Sequence, residues 1–333
     1  MSCPPWLSIL IPVYKAQAYV QACVQSVLAQ CGEGVEILAL DDCSPDKSLA
    51  ILQDMAQHWP ALRVGCNSRN LGPGGTRNAL LDAAQGDYVW FLDADDLMLP
   101  GALAALRQIV VQHQPELVLC DYVVLTNAGQ TQACKRTFFG RSDVLSHDRR
   151  DLVCGVLDGG ETHVWSKIAR RQVWARGVRF PEGVFFEDAA ITPQLALNAH
   201  HFYHCPQPWV AYRQHGDSIL ANMSLPKARD WAWSLSAFRR AWAASDLADD
   251  VRIQVALARA AASNLHGAMR ALQGLRRTSA GAQDAALHST ADALRQGFAA
   301  SSPLSARDYA GYCLRQGWLG RWWRFLRSYR FLA

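Results

Sequence analysis

A chain of 333 residues with 50% hydrophobic and 19% charged residues can bury a large core, which excludes an intrinsically disordered protein and leaves room for one or two domains. Its formal charge of +4 suits an anionic small molecule, a membrane surface or a nucleic acid, so charge alone does not select a partner. The ten cysteines include no CxxC pair, the N-terminus lacks a signal segment, and no apolar run reaches about 18 residues. We therefore expect a cytoplasmic protein that does not span a bilayer.

The first hundred residues alternate short apolar runs with segments of helical periodicity. The apolar runs are LSILIPVY at 7–14, VEILALDD at 35–42, RVGCN at 63–67 and YVWFLDAD from 88. Strands that are apolar on both faces and separated by helices indicate a parallel sheet with helices on both sides. Ligands bind outside the carboxyl ends of such strands, so we expect the polar residues there to converge on one crevice. They are Pro12 to Tyr14, Asp41 and Asp42, Asn67, and Asp93 to Asp96.

Beyond Pro100 the pattern is less regular, and we divide the chain into three segments, residues 1–100, 101–222 and 223–333. The middle segment is predicted to contain a helix to about His113, the strands ELVLCDYVVL and QACKRTFF, and a helix near 143–157. The last segment is Ala-rich with helical spacing, and a patch of Gly, Ser and Thr near 278–281 predicts a break in it. The predicted fold class is α/β with a C-terminal helical appendage.

Three carboxylates, those of Asp93, Asp95 and Asp96, follow the strand YVWFL within four positions. At about 4 Å a pair of like charges costs on the order of 4 kcal/mol at an effective dielectric of 20, so we expect these charges to be neutralised. Mg²⁺ or Mn²⁺ would do so, held by one or two carboxylates and by the phosphates of a substrate. The alternative is that Asp95 or Asp96 caps the helix that begins near Pro100. The spacing leaves both interpretations open.

Two other polar segments suit a nucleotide. In LDDCSPD, Asp42 could accept a hydrogen bond from a nucleobase, or Ser44 or Asp46 could simply cap the next helix. In NLGPGGTRNALL, glycines precede a helix that carries Arg77 in its first turns. Backbone amides at a helix N-terminus and an arginine suit a bound anion, although the segment matches neither the GxGxxG nor the GxxxxGK[ST] fingerprint.

Together these segments resemble the nucleotide-binding half of the family 2 glycosyltransferases, which are inverting enzymes of the GT-A fold. The resemblance spans roughly residues 6–220 and also rests on the segments FFEDAAITPQLAL and YRQHGDSI. It implies that residues 1–100 bind the nucleotide-sugar, that residues 101–222 bind the acceptor, and that residues 223–333 are a helical appendage.

The resemblance implies a role for each matching residue of the nucleotide-binding half. Pro12 and Tyr14 would cradle the base, Asp42 would accept its N–H, and Arg77 would lie near the base and the diphosphate. Asp93-Ala94-Asp95 would be the DxD motif. In that motif Asp95 would bind the metal ion, Asp96 would be a second metal contact, and Asp93 would lie near the ribose or the sugar.

An inverting transfer requires a base that removes the proton of the acceptor hydroxyl. The resemblance makes Asp188 that base, with Glu187 as a less suited neighbour; the alternative is that both acids simply begin a helix at 188–199. Arg213 and His215 would lie near the diphosphate or the metal, or else in a surface loop.

The segment VWSKIARR resembles a stretch near a substrate sugar in similar proteins. The ring of Trp165 could stack on that sugar, with Lys167 beside it, but Trp165 equally suits the core.

The tail GWLGRWWRFLRSYRFLA, at 317–333, contains four arginines and no acid. Wound as a helix of 3.6 residues per turn, it places most of its aromatic and leucine side chains on one side and the arginines on the other. Two interpretations follow. The tail is an interfacial helix on anionic lipid, or it closes the core of the appendage while its arginines snorkel to water.

The resemblance implies a glycosyltransferase that depends on Mn²⁺ or Mg²⁺ and moves a sugar from a nucleotide-sugar, expected to be a UDP-sugar, with inversion. The acceptor would be a hydroxyl of a glycan or lipid-linked glycan in cell-surface polysaccharide biosynthesis. The other class considered is a glycosyltransferase-like protein that binds nucleotide or glycan without turnover. Nucleic acid is disfavoured as a partner, because only the tail combines clustered basic and aromatic residues. The expected location is cytoplasmic, with 317–333 as a peripheral contact to the inner membrane face.

Overall fold

The computed structural model describes residues 4–126, 129–214, 222–278 and 284–331. They form two compact units. The first contains the described residues up to Gly183 together with those from Gln194 to Gln214, and the second contains Val184–Pro193 and the described residues from Asn222 onwards.

The first unit is built on a mixed sheet, to which nine strands contribute among the described residues. The strands are β1 (Leu7–Val13), β2 (Val35–Asp41), β3 (Leu62–Cys66), β4 (Tyr88–Phe91), β5 (Leu97–Met98), β6 (Leu117–Leu125), β7 (Leu145–Ser146), β8 (Lys167–Arg170) and β9 (Phe202–Arg213). Their order is β3-β2-β1-β4-β8-β6-β9-β5, and β7 pairs with β9. Strands β1 to β4 are parallel, so their carboxyl ends meet at one edge, whereas β8 runs antiparallel to β4 and β6. The predicted α/β fold is confirmed.

Helices connect the strands of this sheet, and their positions follow from local sequence. They are α1 (Val20–Leu28), α2 (Ser48–His58), α3 (Gly72–Ala83), α4 (Ala102–His113), α5 (Arg149–Gly159) and α6 (Arg171–Ala175). The helix predicted near 143–157 begins only at Arg149, because the Asp148 side chain accepts hydrogen bonds from the amides of Arg150 and Asp151 and so sets its start.

The segment QACKRTFF is not the strand that its composition predicts. Within it, Lys135 makes an isolated bridge with Tyr122, and Thr131, just before the segment, makes another with Leu125. The segment is held by side-chain bonds as well, because the amide of Thr137 donates to Asp121 Oδ1 at 2.9 Å. The segment is thus held by isolated bridges and by a side-chain hydrogen bond, and not by the regular backbone hydrogen bonds of a strand.

Trp165 belongs to the core, which settles the choice left open by the sequence. Its side chain and that of Lys167 are both fully buried. The Trp165 ring stacks on His163, with centroids 4.8 Å apart and planes 10° apart. The Lys167 ammonium donates to the carbonyl oxygen of Glu161 at 2.5 Å and to Ser166 Oγ at 2.7 Å, so it fixes this turn and does not face a sugar.

The second unit is helical in its described residues. Its helices are α7 (Glu187–Asn198), which continues into the first unit, α8 (Leu225–Trp233), α9 (Ser236–Ala243), α10 (Val251–Thr278), α11 (Asp284–Ser301), α12 (Ala306–Arg315) and α13 (Leu319–Tyr329). Buried alanines such as Ala261 and Ala291 let the helices approach closely around Leu265, Leu294 and Phe298. The predicted helical appendage is confirmed; of the break predicted near 278–281, residues 279–281 lie outside the described residues. None of the described helices is long and apolar enough to cross a membrane.

The tail helix α13 packs its apolar side onto the core of the second unit. Phe325 is buried, and Trp322, Leu326 and Tyr329 are partly buried against the same cluster. Of the two interpretations of the tail, closure of the appendage core is therefore the one observed for this side. Most of the side that the sequence analysis assigned to lipid contacts protein instead, whereas Leu319 on that side is exposed.

The start of β4, the strand that leads to the carboxylates, depends on close packing at Gly86. Its amide donates to Ser8 Oγ at 2.8 Å, and the Ser8 hydroxyl donates to Glu36 Oε1 at 2.6 Å. A Cβ atom on Gly86 would lie 2.5 Å from the Ser8 nitrogen, which is backbone and cannot swing away.

We expect Gly86→Ala to lower the free energy of unfolding by about 2 kcal/mol, because overpacking against backbone forces β1 and β4 apart. The control is Gly32→Ala, whose added methyl group meets no atom within 4 Å and should change stability by less than about 0.5 kcal/mol. Urea unfolding followed by circular dichroism measures both. Equal stabilities of the two variants would contradict this packing.

Candidate functional site

Four loops leave the carboxyl ends of β1 to β4 at one edge of the sheet. The backbone hydrogen bonds that pair β1 with β2 and β2 with β3 continue one residue beyond β2 and β3. The amide of Asp42 donates to the Val13 oxygen at 2.8 Å, and the amide of Asn67 donates to the Asp41 oxygen at 2.9 Å. Parallel strands thereby bring together the side chains that the sequence analysis expected to converge. We call this set of loops the carboxyl edge.

Asp42 fixes the loop that precedes α3. Its Oδ1 accepts from the Leu71 amide at 2.8 Å and from Asn67 Nδ2 at 2.7 Å, and its Oδ2 accepts from the Gly72 amide at 2.8 Å. A carboxylate at a helix N-terminus is favoured by the orphan amides and by the helix dipole. The anion that these amides hold is therefore Asp42 itself. Since a carboxylate offers about four acceptor positions, Oδ2 keeps capacity for one further donor.

Among the glycines before Arg77, Gly74 has a packing role that the sequence did not predict. A Cβ atom on Gly74 would overlap the carbonyl oxygen of Pro181. Asn78 holds the same loop through two bonds of 2.9 Å, one to the Phe180 carbonyl oxygen and one from the Phe180 amide. Glycine is required here because the backbone of another segment lies directly against α3.

Arg77 reaches from α3 to the end of β4 and neutralises Asp93. Its Nη2 lies 2.7 Å from Asp93 Oδ1, and its side chain is 6% exposed against 28% for that of Asp93. The guanidinium lies 5.6 Å from the centroid of the Phe180 ring. Because a buried charge that loses its partner is strongly destabilising, Arg77 and Asp93 depend on each other.

Arg213, at the end of β9, contacts the Asp96 carboxylate through its backbone and the main chain of Asp95 through its side chain. Its amide donates to Asp96 Oδ1 at 2.8 Å, and its Nε donates to the Asp95 carbonyl oxygen at 2.9 Å. The residue before α4 is Gly101, in the left-handed region, and no side chain caps that helix. The interpretation of Asp95 or Asp96 as a helix cap is therefore wrong.

The carboxyl edge keeps an excess of negative charge around Asp96. This residue is fully buried, and its Oδ2 has no hydrogen-bond partner among the described residues. Burial, together with Asp95 and Asp93, raises the pKa of Asp96 well above its usual range, although Arg213 acts in the opposite direction. Burial and the same three carboxylates raise the pKa of Tyr212 to about 12.

These features fit a hard cation, because a buried carboxylate oxygen without a donor and a surplus of negative charge are what such an ion compensates. Among the residues that the structure describes, no group of three or more His, Cys, Asp or Glu side chains is arranged to hold a metal ion. A cation bound at Asp95 and Asp96 would have its remaining positions open to water or to a substrate.

The loops after β1 and β2 contain features that the sequence did not signal. Lys15 and Cys43 have positive φ angles of 53° and 58°, which is unusual for residues other than glycine. The two loops are joined, since the Lys15 amide donates to Ser44 Oγ at 3.1 Å. Tyr14 is 47% exposed beside them, and Pro12 lies within β1. In the sequence, the location of these two loops was indicated only by polar residues that follow an apolar run of strand length.

Two of the predicted site residues, Asp188 and His215, do not belong to the loops described above. Asp188 is in the first turn of α7, in the segment that belongs to the second unit. His215 lies outside the described residues.

Comparison with known proteins supports the resemblance seen in the sequence. Residues 8–136 match the family model described as Glycosyl transferase family 2. An uncharacterized glycosyltransferase of Escherichia coli K12, YibD, is 27% identical over 216 residues, which cover 64% of this chain and 62% of that protein. A GalNAc(5)-diNAcBac-PP-undecaprenol beta-1,3-glucosyltransferase of Campylobacter jejuni is 33% identical over 105 residues, 31% of this chain and 34% of that protein. The chain thus matches less than two thirds of the length of each relative.

Solved structures share the fold. S. aureus TarS 1–349 in complex with UDP-GlcNAc superposes with a TM-score of 0.68 at 18% identity, over 98% of this chain and 90% of that one. The mannosyltransferase PcManGT of Pyrobaculum calidifontis, in complex with GDP-Man and Mn²⁺, has a TM-score of 0.57 at 16% identity, over 98% and 86%. The resemblance is therefore confirmed over residues 8–136, which match Glycosyl transferase family 2, and the sheet has the GT-A architecture of these solved structures.

Proposed function

We propose that this protein transfers a sugar from a nucleotide-sugar to a hydroxyl group of a glycan. The observation that carries the proposal is the carboxyl edge, where Asp95 and the buried, unsatisfied Asp96 oxygen follow β4 in a chain of this family. Bound UDP-GlcNAc in TarS and GDP-Man in PcManGT support a nucleotide-sugar donor, and we take a UDP-sugar as the first choice.

Residues of the carboxyl edge have separable roles in donor binding. The exposed ring of Tyr14 offers a face on which a base can stack, beside Pro12. Asp42 holds the loop before α3 and has acceptor capacity left on Oδ2 for one N–H of the base. Asp93, oriented by Arg77, would accept from a hydroxyl group of the ribose or the sugar.

Asp95 and Asp96 would hold a divalent cation, Mn²⁺ or Mg²⁺, together with the diphosphate. That ion would supply positive charge to the leaving nucleoside diphosphate. From β9, Arg213 holds the Asp96 carboxylate and the main chain of Asp95, so the position of the Asp96 carboxylate does not depend on the ion alone.

Asp188 is the proposed base for the acceptor hydroxyl, and transfer with inversion follows if it acts opposite the leaving group. The residue two before it, Phe186, has a positive φ of 61°. Such a conformation costs about 1–3 kcal/mol for a bulky residue and is concentrated at functional sites. It is held in place because Phe186 stacks on Trp231, with centroids 5.1 Å apart, and the Phe185 amide donates to Asp230 Oδ2 at 3.1 Å.

The acceptor is proposed to be a glycan or lipid-linked glycan in polysaccharide biosynthesis. The support is the Campylobacter jejuni relative, whose name describes a glucosyltransferase acting with an undecaprenol-linked glycan. It aligns with only about a third of this chain, so the support concerns the class of acceptor and not the sugar.

We expect Asp95→Asn to lower nucleoside diphosphate release by about 100-fold, equivalent to about 2.7 kcal/mol of barrier, because a cation ligand is lost. The assay uses a panel of nucleotide-sugars with Mn²⁺, with Mg²⁺ or with a chelator. The control is Asp87→Asn, an exposed carboxylate at the opposite end of β4, which should retain full activity.

A wild type that neither releases nor binds nucleotide in the presence of metal would overturn the assignment of the carboxyl edge. Nucleotide binding without release from any donor, also with acceptor glycans present, would instead identify a binding protein without turnover.

We expect Asp188→Asn to lower the rate of transfer by about 100-fold to 10,000-fold, because proton removal is lost, while the Kd for nucleotide stays unchanged. Glu187→Gln should have a smaller effect. Both variants are compared by kcat, by nucleotide titration and by Tm, which detects misfolding. A larger loss of kcat in Glu187→Gln would refute Asp188 as the base.

A further inference from the structure

A basic cavity of about 250 Å³ lies between α10 and α13 in the second unit. His266 and Arg270 of α10 line it from one side, and Trp323, Arg324 and Arg327 of α13 line it from the other. Neither helix contains an Asp or Glu residue. The cavity therefore combines three arginines without an acidic side chain from either of its helices.

The hydrogen bonds in this cavity show how His266 is oriented. The Ser328 hydroxyl donates its single hydrogen to the Arg324 carbonyl oxygen at 2.9 Å, and it lies 2.8 Å from His266 Nδ1. In this arrangement Nδ1 donates to Ser328 and carries the proton of the neutral ring. Burial and then the charges of Arg324, Arg270 and Arg327 lower the pKa of His266. The three arginine charges, which oppose a proton on His266, would attract an anion.

The face of α13 that points away from the core of the second unit, here called its outer face, exposes apolar as well as basic side chains. This combination bears on which kind of anion would bind there. Leu319 and Trp323 are 62% and 57% exposed, and they lie one helical turn apart. The guanidinium of Arg327 lies 5.2 Å from the centroid of the Trp323 ring, and Arg324 and Arg330 are exposed nearby on the helix. A soluble anion needs no exposed tryptophan or leucine. Arginines flanking exposed Trp and Leu side chains are typical of a helix that lies at a lipid interface.

We propose that this cavity and the outer face of α13 form a binding site for anionic phospholipid. The headgroup phosphate would enter between Arg270, Arg324 and Arg327, while Leu319 and Trp323 would lie among the headgroups. The site is separate from the carboxyl edge, and it is tested without any sugar donor, so its failure leaves the proposed transfer reaction untouched.

The test is co-sedimentation of the full chain with vesicles of phosphatidylcholine, alone or mixed with phosphatidylglycerol. We expect binding to the mixed vesicles only. The double variant Arg324→Gln/Arg327→Gln should bind them about 30-fold more weakly, which corresponds to about 1 kcal/mol for each arginine near an anionic surface. The matched control, Arg136→Gln/Arg141→Gln, removes the same charge from exposed positions of the first unit and should bind like wild type.

A second variant, Trp323→Ala, tests the lipid component. Because the side chain is exposed, the variant should keep its Tm and still bind the mixed vesicles several-fold more weakly. Equal binding to both kinds of vesicle, or an equal loss in the control, would overturn the proposal. If inorganic phosphate binds wild type but not Arg324→Gln/Arg327→Gln, while the vesicles bind both equally, the site takes a soluble anion and the membrane assignment is wrong.

Discussion

The crowding of negative charge at the carboxyl edge is the constraint on which the rest of the structure depends. Parallel strands bring Asp42, Asp93, Asp95 and Asp96 to one side of the sheet, where isolated carboxylates would repel one another. Three of these charges are compensated in different ways. Asp42 accepts hydrogen bonds from backbone amides at the start of α3, Asp93 forms an ion pair with Arg77, and Asp96 accepts a hydrogen bond from the amide of Arg213. Compensation is incomplete at Asp96, whose second oxygen is buried without a donor among the described residues.

This compensation also ties distant regions of the chain together. Arg77 can reach Asp93 because α3 starts where Asp42 fixes it, and Gly74 lets the Pro181 segment pack against the same helix. Arg213 reaches Asp96 across 117 positions of sequence because β9 pairs with β5, which follows directly after the carboxylates. A local surplus of charge therefore helps to specify the order of strands and the positions of the loops.

The sequence predicted those features that depend on local patterns. Apolar runs of strand length, the acids that follow them and the alanine-rich composition of the last segment predicted the sheet, the acidic loop after β4 and the helical unit. It could not predict which donors Asp42 would find, because amides at Leu71 and Gly72 come near only after the sheet has formed. The sequence around Trp165 is equally compatible with a ring that stacks on a sugar and with a ring in the core. Only the burial of Trp165 in the structure distinguishes the two roles. For α13 the helical wheel was right about periodicity, but it could not show which side would meet protein.

The most direct test of the account is Mn²⁺ binding followed by electron paramagnetic resonance, with and without UDP or GDP. The described residues do not assemble three protein ligands, so water or the phosphates of a bound nucleotide would complete the coordination sphere. We expect one nucleotide to raise the affinity for Mn²⁺ by about tenfold or more, equivalent to about 1.4 kcal/mol, and Asp95→Asn to remove this gain. Mn²⁺ binding that is the same with and without nucleotide, or a gain that survives in Asp95→Asn, would contradict it.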